Sequence, residues 1–152
     1  MMQRIQSVWL LLASITVFLL LAIPIASSLQ GTKDYWIQAT GLFQQENNVV
    51  TKLTTFTPLI ISVIATGLMC IAVIFAFRRR TAQKRLCIAL MAMVASLSFW
   101  MFNYVQKIPG GLDGVNYNAG VALPILAIVF CALAIRGITK DEQLLRSADR
   151  LR

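Results

Sequence analysis

The chain has no histidine, only three cysteines and only six acidic residues among 152. Without histidine there is no imidazole to bind a metal or haem, or to act as base in a Ser-His-Asp or Cys-His arrangement. The cysteines Cys70, Cys87 and Cys131 form no C-x-x-C pair and lie within or at the ends of uncharged stretches. That placement argues against thiol–disulfide exchange and against a disulfide-stapled loop, and reads instead as small apolar side chains in a core. Neither G-x-x-x-x-G-K-[ST] nor G-x-G-x-x-G occurs, so no phosphate-cradling loop is expected. Eight glycines and four prolines are too few for a collagen-like or linker-dominated chain. The expectation is a non-enzyme, with no catalytic residue, cofactor or metal.

What the chain has in excess is apolar surface. Hydrophobic residues make up 58% and charged ones 13%, with a mean hydropathy of +0.73, whereas a soluble domain carries about 25% charged residues. Four stretches hold no Asp, Glu, Lys or Arg: residues 5–32, 53–77, 86–106 and 114–135. About 20 apolar residues cross a hydrocarbon core of roughly 30 Å as a helix. Lipid satisfies no backbone polar group, which favours helices over open strands, and the continuous apolar runs lack the alternation of a membrane barrel. The composition thus predicts an all-α membrane protein, one domain over residues 1–152, with a four-transmembrane-helix bundle. The helices are placed near residues 8–26, 58–77, 86–104 and 120–135. The first run is longer than the core of a typical signal peptide, and residues 24–27 are a poor cleavage site, so it is read as a retained helix.

The basic residues orient the bundle. With both termini in the cytoplasm, that side holds 11 of the 14 lysines and arginines, against Lys33, Lys52 and Lys107 outside. Such a bias in short loops sets topology, so the net charge of +8 is a topology signal and no nucleic-acid partner is expected. Residues 27–57 and 105–119 become outer loops, and residues 78–85 an inner turn containing Arg78, Arg79, Arg80, Lys84 and Arg85. In the first outer loop, KDYWIQATGLF and NNVVTKLTTF flank a polar turn at 44–48. The two runs either pair as a small hairpin or set their aromatics at the headgroup level. Thr57-Pro58 reads as a hydroxyl cap followed by proline at the first helical position. Pro124 either bends the fourth helix, as in transporters, or sits in its first turn, the favoured reading. No charged residue lies within a span, where one would mark an ion path. Hydroxyls such as Ser14, Thr16, Ser62 and Thr66 are expected to bond their own helix carbonyls.

The tail, residues 136–152, is the most patterned polar segment. Gly137 can end the fourth span, and Thr139 with Glu142 fits a capping box that opens a short cytoplasmic helix. Leu144, Leu145, Ala148 and Leu151 fall in one arc, with Arg146, Arg150 and Arg152 near its end. The candidate interaction surface therefore comprises the basic inner turn together with Leu144, Leu145, Arg146, Ser147, Asp149, Arg150 and Arg152. Its expected partners are the bilayer, through anionic lipid at the cytoplasmic face, and a membrane or cytoplasmic protein.

The ends of the chain, MMQRIQSVWLLLASI and LAIRGITKDEQLLRSADRLR, resemble a domain-of-unknown-function family of small bacterial inner-membrane proteins with four spans. The most specific parts are Gln3-Arg4-Ile5-Gln6 and Lys140-Asp141-Glu142, with Arg146-Ser147 and the final Asp149-Arg150-Leu151-Arg152. The resemblance implies a bacterial cytoplasmic-membrane location and brings no activity, cofactor or catalytic residue. The functional expectation is an accessory subunit of a membrane complex that works by interaction; the alternative is a component of a small transporter or channel.

Overall fold

The computed structural model describes residues 2–31, 33–47, 49–76, 80–108 and 114–149. Within them run α1 (Met2–Leu19), β1 (Ala26–Gln30), β2 (Lys33–Gln38), β3 (Gly41–Glu46), β4 (Val49–Thr55), α2 (Thr57–Phe75), α3 (Arg80–Val105), β5 (Val115–Tyr117) and α4 (Ala122–Asp149). The helices run alternately up and down: α1 packs on α2 and α4, and α3 closes the ring between them.

The all-α expectation is overturned. The two segments read as outer loops fold into a five-stranded antiparallel sheet, in the order β4-β3-β2-β1-β5, so the protein is mixed, a helical bundle capped by a sheet. Local alternation could not reveal β1, whose ASSLQ has no apolar period, nor β5, which is three residues long. Pairing of Ala26 with both Ile37 and Tyr117 makes them strands, and such a non-local contact leaves no local pattern. The expected hairpin exists as β3–β4, but KDYWIQATGLF is itself folded back between Gln38 and Gly41. Gly31 and Asn47 take positive φ of 61° and 50° where β1 turns into β2 and β3 into β4, the backbone that tight hairpin turns demand.

The sheet shortens the first helix. Expected to reach residue 26, α1 ends at Leu19, and Pro24, with no N–H to give, stops any continuation. Ile25 then donates to the Ile37 carbonyl at 2.7 Å, which starts the sheet. One apolar cluster unites sheet and bundle: Ala26, Ile37 and Leu42 from the strands with Leu20, Leu59, Met101, Val105 and Leu123 from the helices. A second, at the far end, contains Leu10, Val73, Leu90 and Ile138 around all three cysteines.

The helices differ from expectation at their polar ends. α4 is a single helix of 28 residues, about 42 Å at 1.5 Å per residue, so the tail is not a separate helix beneath the bundle. Gly137 does not end it, and Thr139 is not a cap: its Oγ1 donates to the Ile135 carbonyl one turn back, at 2.9 Å. α2 is capped by Phe56 rather than Thr57, without a side-chain bond. Pro124 lies in the first turn of α4, where a missing N–H costs nothing.

Candidate functional site

Two polar regions lie at opposite ends of the apolar bundle. At the end away from the sheet, the start of α1 and the last turns of α4 meet. The Gln6 side chain is buried and donates to the Asp141 carboxylate, and its Cγ lies against Gly137. The two segments that carry the family resemblance, 3–6 and 140–142, are thus neighbours in space. Here α4 continues past its apolar part, with Arg136 and Lys140 exposed.

The expected interaction residues distribute as follows. Arg78, Arg79, Arg150 and Arg152 lie outside the described residues. Arg80 opens α3, on which Lys84 is half-buried and Arg85 exposed. Leu144 is exposed, and Leu145, Arg146, Ser147 and Asp149 continue α4. Gln83, which lies within the expected inner turn, is instead buried and donates to the Val73 carbonyl at 3.3 Å, tying α3 to the end of α2.

Between the ends the described buried side chains are mostly apolar. Buried hydroxyls mostly bond their own helices: Thr16 the Ala13 carbonyl at 2.8 Å, Thr66 that of Ser62 at 2.7 Å. Ser14 is the exception, crossing from α1 to the Gly67 carbonyl of α2 at 3.1 Å. Cys70, Cys87 and Cys131 come from three helices into one apolar cluster, a convergence that their sequence spacing does not reveal.

At the sheet end, one face packs on the helices and the other is turned away from them. On the outward face the register sets Asn116, Ser27, Trp36, Phe43 and Lys52 in one row across all five strands. Trp36 stacks on Phe43 with ring centres 5.8 Å apart and planes within 8°, and the Lys52 ammonium sits 5.5 Å from the Phe43 ring centre, a cation–π contact. A second row holds Leu29, Asp34 and Gln45. Between the rows is a cleft of about 300 Å³ lined by Ser27, Leu29, Asp34, Trp36, Gln45 and Asn116. Beside it Lys33 binds Glu46 at 2.9 Å, and the hydrogen bond and charge of that carboxylate raise the lysine pKa. None of these residues was a candidate in the sequence, because only the strand register brings them together.

Among the described residues three helices are long and apolar enough to cross a membrane: Thr57–Phe75, Thr81–Val105 and Ala119–Leu144. The apolar stretch of α1, Ile5–Leu19, is shorter. The structure therefore defines a sheet-capped helical bundle of membrane-compatible composition. Over residues 2–151 the chain matches the family described as Domain of unknown function (DUF4293), and it belongs to that family. No curated protein matches it.

Proposed function

We propose that the chain is a multi-pass integral protein of the bacterial cytoplasmic membrane that acts by non-catalytic interaction, as an accessory subunit of a membrane complex. The observation that carries this reading is the apolar belt around the bundle. Every helix contributes large exposed apolar side chains, among them Leu11 and Ile15 of α1, Leu68 and Phe75 of α2, Ile88 and Phe99 of α3, and Ile125 and Val129 of α4. Soluble monomers do not leave such a surface to water, and a belt on all sides fits lipid better than one partner protein. The basic end then faces the cytoplasm, where each lysine or arginine near the surface gains ~1 kcal/mol from anionic lipid. The sheet faces outward.

Interaction is favoured over transport by the largely apolar core: Leu10, Val17, Val63, Leu90, Val94 and Ala134 are buried there, and the buried hydroxyls of Ser14, Thr16 and Thr66 are taken up by main-chain carbonyls. A pore component would need a polar seam there. The helical extension of α4, tied to α1 by the Gln6–Asp141 hydrogen bond, supplies a cytoplasmic surface on which a partner can dock. Photo-crosslinking groups placed at Arg85, Lys140 and Leu144 in native membranes test this. The reading expects adducts to the same heterologous protein from Lys140 and Leu144. Adducts to lipid alone from all three positions would refute the subunit role.

A further inference from the structure

We propose that the cleft on the outward face of the sheet is a binding site for an uncharged saccharide, a hexose or N-acetylhexosamine unit. Three features point to that chemistry. First, one face of the Trp36 indole is covered by Phe43, which leaves the side toward Ser27 to line the cleft. A flat electron-rich face of this kind suits the C–H side of a sugar ring. Second, the cleft gathers the planar polar groups that grip vicinal hydroxyls: the Asp34 carboxylate and the Gln45 and Asn116 amides. None of the three makes a side-chain hydrogen bond among the described residues, whereas their neighbours do: Gln44 donates to Glu46 and Asn118 to Ser27. Their donors and acceptors are therefore available to a ligand, and together they offer both kinds, as a hydroxyl requires. Third, the volume of about 300 Å³ lies at the small end of ligand sites.

Other ligands fit less well. A quaternary ammonium calls for several aromatic faces around the cation, and of the two aromatic residues lining the cleft, Tyr35 stands on the opposite side of the register to Trp36. An anionic sugar would meet the Asp34 carboxylate, while the nearby Lys33 is engaged by Glu46. The site is independent of how the bundle sits in the membrane, since it is built by the register of β1, β2, β3 and β5 alone.

The test uses the full chain in nanodiscs, because glycoside detergents would compete for the cleft. Saturation-transfer NMR is recorded with cellobiose, N,N′-diacetylchitobiose and glucuronic acid as probes. The proposal expects saturable transfer to the ring protons of at least one of the first two, and weaker transfer to the acid. Asp34→Asn and Asn116→Ala, both at exposed positions, should each weaken binding about tenfold. Trp36→Ala should abolish it; circular dichroism checks that the sheet persists, and the two exposed-site variants carry the test if it does not. No saturable transfer with either neutral disaccharide, or binding unchanged by Asp34→Asn and Asn116→Ala, would overturn the proposal.

Discussion

Adding a single methyl group at Gly120 should unseat the sheet from the bundle. Gly120 is buried where the turn before α4 crosses the link between α1 and β1, and its N–H donates to the Pro24 carbonyl at 3.1 Å. A Cβ there would stand 2.5 Å from the Pro24 carbonyl oxygen and 2.9 Å from the Ile25 Cα. Carbon and oxygen in close contact sit at about 3.3–3.6 Å, so the two backbones must part by about 1 Å. No rotamer relieves the clash, because both neighbours are main chain. The main chain is itself pinned by the Asn118-to-Ile25 bond at 2.9 Å and the Ile25-to-Ile37 bond at 2.7 Å. Overpacking costs about 1–3 kcal/mol, and Gly120→Ala belongs at the upper end. Gly137→Ala is the comparison. Its Cβ would lie 3.0 Å from the Cγ of Gln6, a side-chain atom that can give by a few tenths of an ångström where the main chain at Gly120 cannot. Alanine gains about 1 kcal/mol over glycine within a helix, which offsets the crowding of the Gln6–Asp141 contact. That variant should be neutral or slightly stabilised. Equilibrium unfolding in mixed micelles, followed by circular dichroism, measures both. Equal stability of Gly120→Ala and the parent, or a larger loss for Gly137→Ala, would refute the packing described at the junction.

Three further outcomes follow from single contacts. Gln6→Leu should destabilise the protein by about 1–3 kcal/mol, since it leaves the partly buried Asp141 carboxylate unpaired; Asp141→Asn, which keeps an acceptor, should lose much less in the same unfolding assay. Changing Cys70, Cys87 and Cys131 together to alanine should preserve folding. In the parent, maleimide should label them slowly in the native state and fully after denaturation. The Lys33–Glu46 pair should show a defined pH dependence. Because the folded state raises the lysine pKa above its ordinary 10.5, the stabilisation is present at neutral pH and disappears as pH rises through the raised value. The stability difference between the parent and Lys33→Met should vanish there; a difference that grows with pH would contradict the assignment.

The four helices could be read from charge-free stretches because long apolar runs are a strong local signal, although in α1 the apolar helix covers only Ile5–Leu19. Their ends were less legible. Gly137 and the Thr139–Glu142 spacing mimic a helix stop and restart, yet the Gln6 contact and continuous apolar packing through Ile138 outweigh glycine's local penalty. The sheet was hardest. β2, β3 and β4 carry aromatic and β-branched residues that suggested a hairpin, but β1 has no apolar period of its own although it pairs with β2 across a tight turn, and β5 becomes a strand only by pairing with the distant Ala26–Ser28. The outward cleft shares that history: Asp34, Trp36 and Asn116 are unremarkable in sequence and become a site through register. The family resemblance of the two ends has a physical counterpart in the Gln6–Asp141 bond. Composition alone could not indicate that bond.

Accessibility of the two ends in intact cells tests the membrane reading most directly. In a cysteine-free background, Asn47→Cys lies in the β3–β4 turn and Lys140→Cys on the extension of α4, both at exposed positions. A membrane-impermeant maleimide should label position 47 in intact cells (spheroplasts, if an outer barrier intervenes) and position 140 only after the membrane is opened. Labelling at 140 with 47 protected would invert the topology. Equal labelling of both positions before opening would contradict the claim that the bundle spans the membrane with its sheet outside.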